Sequence, residues 1–107
     1  MGVREVLVAA RALIADPERW CQGTGRDAYG RRCMHQAIYD AAGHRQSPVF
    51  RAACKAIIME IPTRFPPVIA AFNDTSPHFA VIALFDTAIA KLSPAGVPVA
   101  DHEYALV

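Results

Sequence analysis

The chain lacks most of the features that announce a function. No CxxC or HxxxH pair occurs in its 107 residues, so neither a local zinc-ligand spacing nor a redox dithiol is present. The three cysteines, Cys21, Cys33 and Cys54, are odd in number and widely spaced. They make no disulfide framework and fit reduced thiols in the cytoplasm. Net charge is low, at +1, which leaves no electrostatic footprint for nucleic acid or an anionic membrane. Asp86 and Lys91 interrupt the best apolar run, which falls short of the roughly 18 residues a bilayer span needs. The N-terminus, with Arg4, Glu5 and Arg11 in an amphipathic pattern, is unlike a signal peptide. Internal repeats and low-complexity segments are absent, and nothing in the residues calls for a cofactor.

What the chain has in abundance is apolar residues, 53% of the total, many of them alanine. Its length suits one domain, residues 1–107, with a single core. So much apolar surface in so small a chain predicts close helix packing and points to a homodimer.

Hydrophobic periodicity predicts an all-α, four-helix domain with a short irregular or hairpin insertion after the first helix. Residues 3–15 place Val3, Val6, Leu7, Ala10, Leu13 and Ile14 on one face, and Asp16-Pro17 ends that helix. The insertion follows. In it Asp27-Ala28-Tyr29-Gly30 suits a turn with positive φ at Gly30, and the Trp20 side could pair with the Arg31 side. Cys33 to Ala42 reads as the second helix, capped by Gly43, with Cys33, Ala37, Ile38 and Ala41 inward. Ser47-Pro48 opens a third helix to about Ile61, with Phe50, Ala53, Cys54, Ile57 and Ile58 inward. Pro66-Pro67 starts a short helical turn. Ser76-Pro77 then opens the last helix, in which Val81, Ile82, Phe85, Ile89 and Leu92 share an arc. Because so little of it is polar, this helix is expected to be the central one. Residues 93–107 read as an irregular tail.

Several residues could carry chemistry. Asp86 falls at the edge of the apolar arc, between Ile82 and Phe79, where a carboxylate needs a partner; Trp20 has an indole N–H that needs an acceptor if buried. The two are expected to form either a polar lock or one side of a pocket. Asn73-Asp74, just before Ser76-Pro77, reads first as a capping network and second as a ligand contact at a helix terminus. The candidate ligand-binding set is therefore Trp20, Cys21, Asn73, Asp74 and Asp86. Cys33 reads as a small inward residue; as a nucleophile it would need a remote base such as His78. Cys33 and His35 lie about 200° apart on a helix, so no metal site forms between them. A set of Cys21, Cys33 and His78 assembled across the fold is the remaining metal reading. Arg26, Arg31 and Arg32 form a basic cluster that reads as a solvated loop, or as a grip for a phosphate or an acidic partner.

The run Trp20-Cys21-Gln22-Gly23, the Asp27/Gly30 turn, Cys33 with Ala37-Ile38, Phe72-Asn73-Asp74 and Phe85-Asp86-x-Ala88 together resemble a family of small bacterial and phage proteins of unknown function. Its pattern is W-x-x-G, D-x-x-G, C-x-x-G-A, W-N-D and F-D-x-A, in that order. Phe72 stands at the tryptophan position of W-N-D and Gln36 at the glycine position of C-x-x-G-A. The resemblance implies a compact helical fold and no mechanism. Two functions follow from these readings: a non-enzymatic interaction or regulatory protein acting as a homo-oligomer, or a small-ligand-binding protein or enzyme with a pocket near the Trp20–Gly23 turn and Asp86.

Overall fold

The computed structural model describes residues 1–43 and 47–92. Among them are five α-helices: α1 (Val3–Leu13), α2 (Met34–Ala42), α3 (Pro48–Ile58), α4 (Ile69–Thr75) and α5 (His78–Ala90), with a 3-10 turn at Pro17–Arg19. The all-α class is as expected. The count of four is not, because the turn expected after Pro66-Pro67 is a two-turn helix, α4, held by the burial of Ile69, Phe72 and Asn73. The expected tail, 93–107, lies outside the described residues.

Local chemistry sets the other boundaries. Glu5 reaches back to accept from the Gly2 N–H at 2.9 Å, starting α1. The Cys33 thiol accepts from the Gln36 N–H at the start of α2, and Gly43, at φ +90°, ends it with a bond to the Tyr39 carbonyl. Ser47 Oγ accepts from the Phe50 N–H at 3.1 Å, with Pro48 as the first helical residue of α3. Ser76 does not repeat this. Pro77 takes the N-cap position of α5, so Ser76 sits one residue too early, and its hydroxyl is buried with no hydrogen-bond partner.

The insertion is not a hairpin. Arg32, near the end of the loop, makes a parallel bridge with Trp20 at its start and an antiparallel one with Arg26 at its middle. The insertion is irregular, the Trp20 side does pair with the Arg31 side but in parallel, and the Asp27–Gly30 turn has its expected form, with Gly30 at φ +78° and its N–H bonded to the Asp27 carbonyl.

The core joins Val6, Leu7, Ala10 and Ile14 of the α1 segment to Met34, Ala37 and Ile38 of α2, Ala53 and Ile57 of α3, and Val81, Phe85 and Ala88 of α5. Among the described residues α3 packs on all four other helices and α1 on α2, α3 and α5, whereas α5 packs on α1 and α3 and leaves its Phe79 side uncovered. The expectation of a central α5 fails for a physical reason. When every face is apolar, periodicity cannot say which one is buried. Phe79, next to Asp86 at the edge of the apolar arc, is 75% exposed.

The two serines make a direct test. Ser47→Ala removes a working cap and is expected to lower stability by about 1 kcal/mol. Ser76→Ala removes a buried hydroxyl that bonds to nothing and is expected to leave stability unchanged or raise it by up to about 1 kcal/mol. Urea denaturation of the two variants beside the wild type reads both signs.

Candidate functional site

Trp20, Cys21, Asn73 and Asp74 do come together, and Asp86 does not join them. Asn73 is fully buried on α4. Its Oδ1 accepts from the Trp20 indole N–H at 2.7 Å and from the Met34 backbone N–H at 3.0 Å. Its Nδ2 donates to the Cys21 carbonyl and to Asp74 Oδ1, both at 3.0 Å. Every hydrogen-bonding position of the amide is thus occupied. Around it, Gln22 Nε2 donates to the carbonyls of Asn73 and Ser76 at 3.0 and 2.9 Å, and Asp74 Oδ1 accepts from the Gly23 N–H at 2.8 Å. This polar knot fastens the Trp20–Gly23 turn and the start of α2 to α4. Asn73 was expected to cap a helix; it sits inside one and bonds across the fold.

The expected Trp20–Asp86 contact is absent. Asp86 lies on the open side of α5 with Phe79, and its two oxygens accept from Arg11 Nε at 2.6 Å and Nη2 at 3.3 Å. Once Phe79 faces solvent, so does its neighbour on the helical wheel. Trp20 takes the neutral amide acceptor, which costs less to bury than a carboxylate.

His78 donates from Nε2 to the Ile14 carbonyl at 2.7 Å, and its ring stands 5.5 Å from that of Trp20. It therefore fixes the end of α1 rather than serving Cys33. Burial, with smaller contributions from Asp27 and Cys33 nearby, pushes the Cys21 thiol up from its ordinary value. Burial alone pushes Cys54 up to about 11. Among the described residues no three His, Cys, Asp or Glu side chains converge closely enough to hold a metal ion.

The arginines of the loop are engaged internally. Arg26 and Arg32 both pair with Asp40 at 2.6 Å, and Arg31 pairs with Asp27. The expected grip on an outside phosphate would have to break these contacts. Burial pushes the Asp40 carboxyl up, but hydrogen bonds from Arg32, Gln36 and Arg26 outweigh it and hold the group below the usual carboxylate range.

A concave surface adjoins the loop, and Trp20 is not among the residues that line it. A largely apolar cleft of about 680 Å³ runs between Gly23–Gly25 and α2, with Cys33 and His35, on one wall and residues 67–70 with Asp74 on the other. Phe50, Arg51, Cys54, Lys55 and Ile58 of α3 line it between those walls. Gly25 brings the loop close to α2: its carbonyl accepts from the Cys33 N–H at 2.9 Å, and a Cβ there would stand 3.1 Å from Gln36 Oε1. Of the sequence-derived site residues only Asp74 lines this cleft. Cys54 and Ile58, expected inward, are half-buried along it. The signal for them was present: Phe50, Cys54 and Ile58 form a second i, i+4 row beside the buried Ala53–Ile57 row, more apolar width than α3 needs for the core.

Fold and site together define a small all-helical protein with a polar knot bracing an apolar cleft. The chain belongs to a family of unknown function, DUF6197, whose model matches residues 1–91. Neither the curated proteins nor the solved structures searched contain a significant match.

Two predictions follow from this geometry. Asn73→Ala leaves the Trp20 and Met34 N–H groups buried without an acceptor and is expected to cost about 3 kcal/mol, while Asp86→Ala, removing an exposed pair, is expected to cost less than about 1 kcal/mol. Chemical denaturation measures both. Because the folded Asp40 titrates lower than its unfolded value of about 3.9, its contribution is complete above that pH and is lost as pH falls through the folded value. Asp40→Asn is therefore expected to flatten the loss of stability below about pH 4, read from thermal melts across that range.

Proposed function

We propose that this protein is a non-enzymatic binding protein that takes a small organic acid, an apolar body carrying one carboxylate, into the cleft between the Gly23–Gly25 loop, α3 and α4. The observation that carries this reading is Lys55. Its side chain lines a largely apolar cleft and makes no ion pair with any described residue, whereas Arg11, Arg26, Arg31 and Arg32 each have a carboxylate. An apolar cavity with a few convergent polar groups, in a volume range of about 300–1,000 Å³, is the usual form of a small-molecule site. Phe50, Ile58 and Ile69 supply contact for the apolar body and Lys55 the counter-charge for the carboxylate.

Binding is favoured over catalysis by the state of the Cys54 thiol. Cys54, which lines the cleft, is pushed up to about 11 by burial and stays protonated at neutral pH.

Octanoate titrated into the isotopically labelled protein tests the reading. Amide shifts are expected at Gly23, Gly25, Cys54, Lys55 and Ile69, and Lys55→Glu is expected to weaken binding by roughly tenfold or more with an unchanged melting temperature. Shifts confined to other surfaces, or equal binding by Lys55→Glu, would contradict it.

A further inference from the structure

Beyond closing the loop, the Trp20–Arg32 bridge sets a register. It is made by the Arg32 N–H donating to the Arg19 carbonyl and the Cys21 N–H donating to the Arg32 carbonyl, both at 3.0 Å. In a parallel ladder the two strands advance together, so the residues that follow Trp20 and Arg32, namely Cys21 and Cys33, stand opposite each other. The backbone is still extended at Cys33, with φ −81° and ψ 174°. Opposed residues of paired strands lie about 4.8 Å apart with their side chains on one face, inside the roughly 4.4–6.8 Å between Cα atoms that a disulfide spans.

The side chains agree with that register. Both cysteines are buried, and Cys33 is near enough to contribute to the upward push on the Cys21 thiol. Each sulfur is held only by weak contacts. Cys21 Sγ donates to the Arg31 carbonyl at 3.3 Å and to the Thr24 carbonyl at 3.6 Å, and Cys33 Sγ accepts from the Gln36 N–H at 3.4 Å. The two differ in access, since Cys33 lines the cleft and Cys21 does not. A solute of nearly the size of water meets Cys33 first, with Cys21, kept protonated by burial, behind it.

We propose that Cys21 and Cys33 form a reversible disulfide on exposure to hydrogen peroxide, with Cys33 as the attacking thiol and Cys21 as the resolving one. The Cys33 sulfur attacks one peroxide oxygen; the S–O bond forms, the O–O bond breaks, and hydroxide leaves as water with the thiol proton, giving a sulfenic acid. The Cys21 sulfur then attacks the Cys33 sulfur. The S–S bond forms, the S–O bond breaks, and the hydroxyl leaves as a second water with the Cys21 proton. Two thiols are oxidised and one peroxide is reduced. Exchange with a small thiol such as glutathione restores both cysteines. The bond closes residues 21–33 into a ring and ties the Gly23–Gly25 wall of the cleft to the start of α2. It depends on the loop register and not on Lys55, so it stands independently of the ligand reading.

Tryptic mapping of the folded full chain after brief exposure to hydrogen peroxide, with free thiols alkylated first, tests the assignment. Arg26, Arg31 and Arg32 give cleavage points between the two cysteines, so a bond between them appears as a linked peptide pair. That pair is expected in at least about tenfold excess over any link to Cys54, and to vanish with dithiothreitol. Cys21→Ser is expected to leave Cys33 as a sulfenic acid that dimedone captures, and Cys54→Ala to form the bond as the wild type does. The wild-type map keeps the test valid should a variant fail to fold. A dominant link through Cys54, Cys33 advancing to sulfinic acid while Cys21 is still alkylated, or three alkylated thiols under conditions that oxidise free glutathione would each overturn the proposal.

Discussion

The buried amide of Asn73 ties together three stretches of chain that are distant in sequence. It accepts from Trp20 in the loop and from Met34 at the start of α2, and donates to Cys21. Each of these groups would otherwise carry an unmet hydrogen bond into the interior, at a cost of about 1–3 kcal/mol apiece. The apolar core gives α1, α2, α3 and α5 a reason to collapse, but it does not fix where a glycine-rich loop of irregular backbone should lie. The knot does. With the loop held by Asn73, Gln22 and Asp74, the Gly23–Gly25 segment stands as a wall of the cleft.

The same economy governs the charges of the loop. Arg26 and Arg32 converge on Asp40, and Arg31 closes on Asp27, so the three arginines of this basic segment are each engaged by a carboxylate of the chain itself. Lys55, on a rigid helix beside the apolar lining, is the cation of the cleft without such a partner among the described residues. The exposed side of α5 is a different kind of surface, where Phe79, Ala83 and Ala90 lie beside Asp86, held by Arg11, and Thr87, bonded to the Ala83 carbonyl.

Much of this architecture was legible in the sequence where local chemistry decides it. The Ser47-Pro48 start, the Gly43 stop and the Asp27–Gly30 turn are set by residues within four positions of one another, and each has its expected form. Where tertiary partners decide, legibility failed. Asn73, Asp74 and Thr75 favour turns in isolation, because their side chains compete with the helical backbone. Inside this fold the Asn73 side chain is engaged elsewhere, and the backbone is free to be helical. Ser76 shows the converse: a one-residue shift of the helix start turned an expected cap into an orphan hydroxyl. The need of Trp20 for an acceptor was readable, but the choice between Asn73 and Asp86 depended on which side of α5 faces the core. An almost uniformly apolar helix does not encode that choice.

The most direct measurement is hydrogen exchange at the indole N–H of Trp20, the single tryptophan, followed by NMR together with the Met34 amide. If Asn73 is the brace on which the loop and cleft depend, both protons should exchange only through global unfolding, with a protection free energy matching that from denaturation. Exchange of the indole proton at the rate of an open loop, while core amides stay protected, would contradict this account.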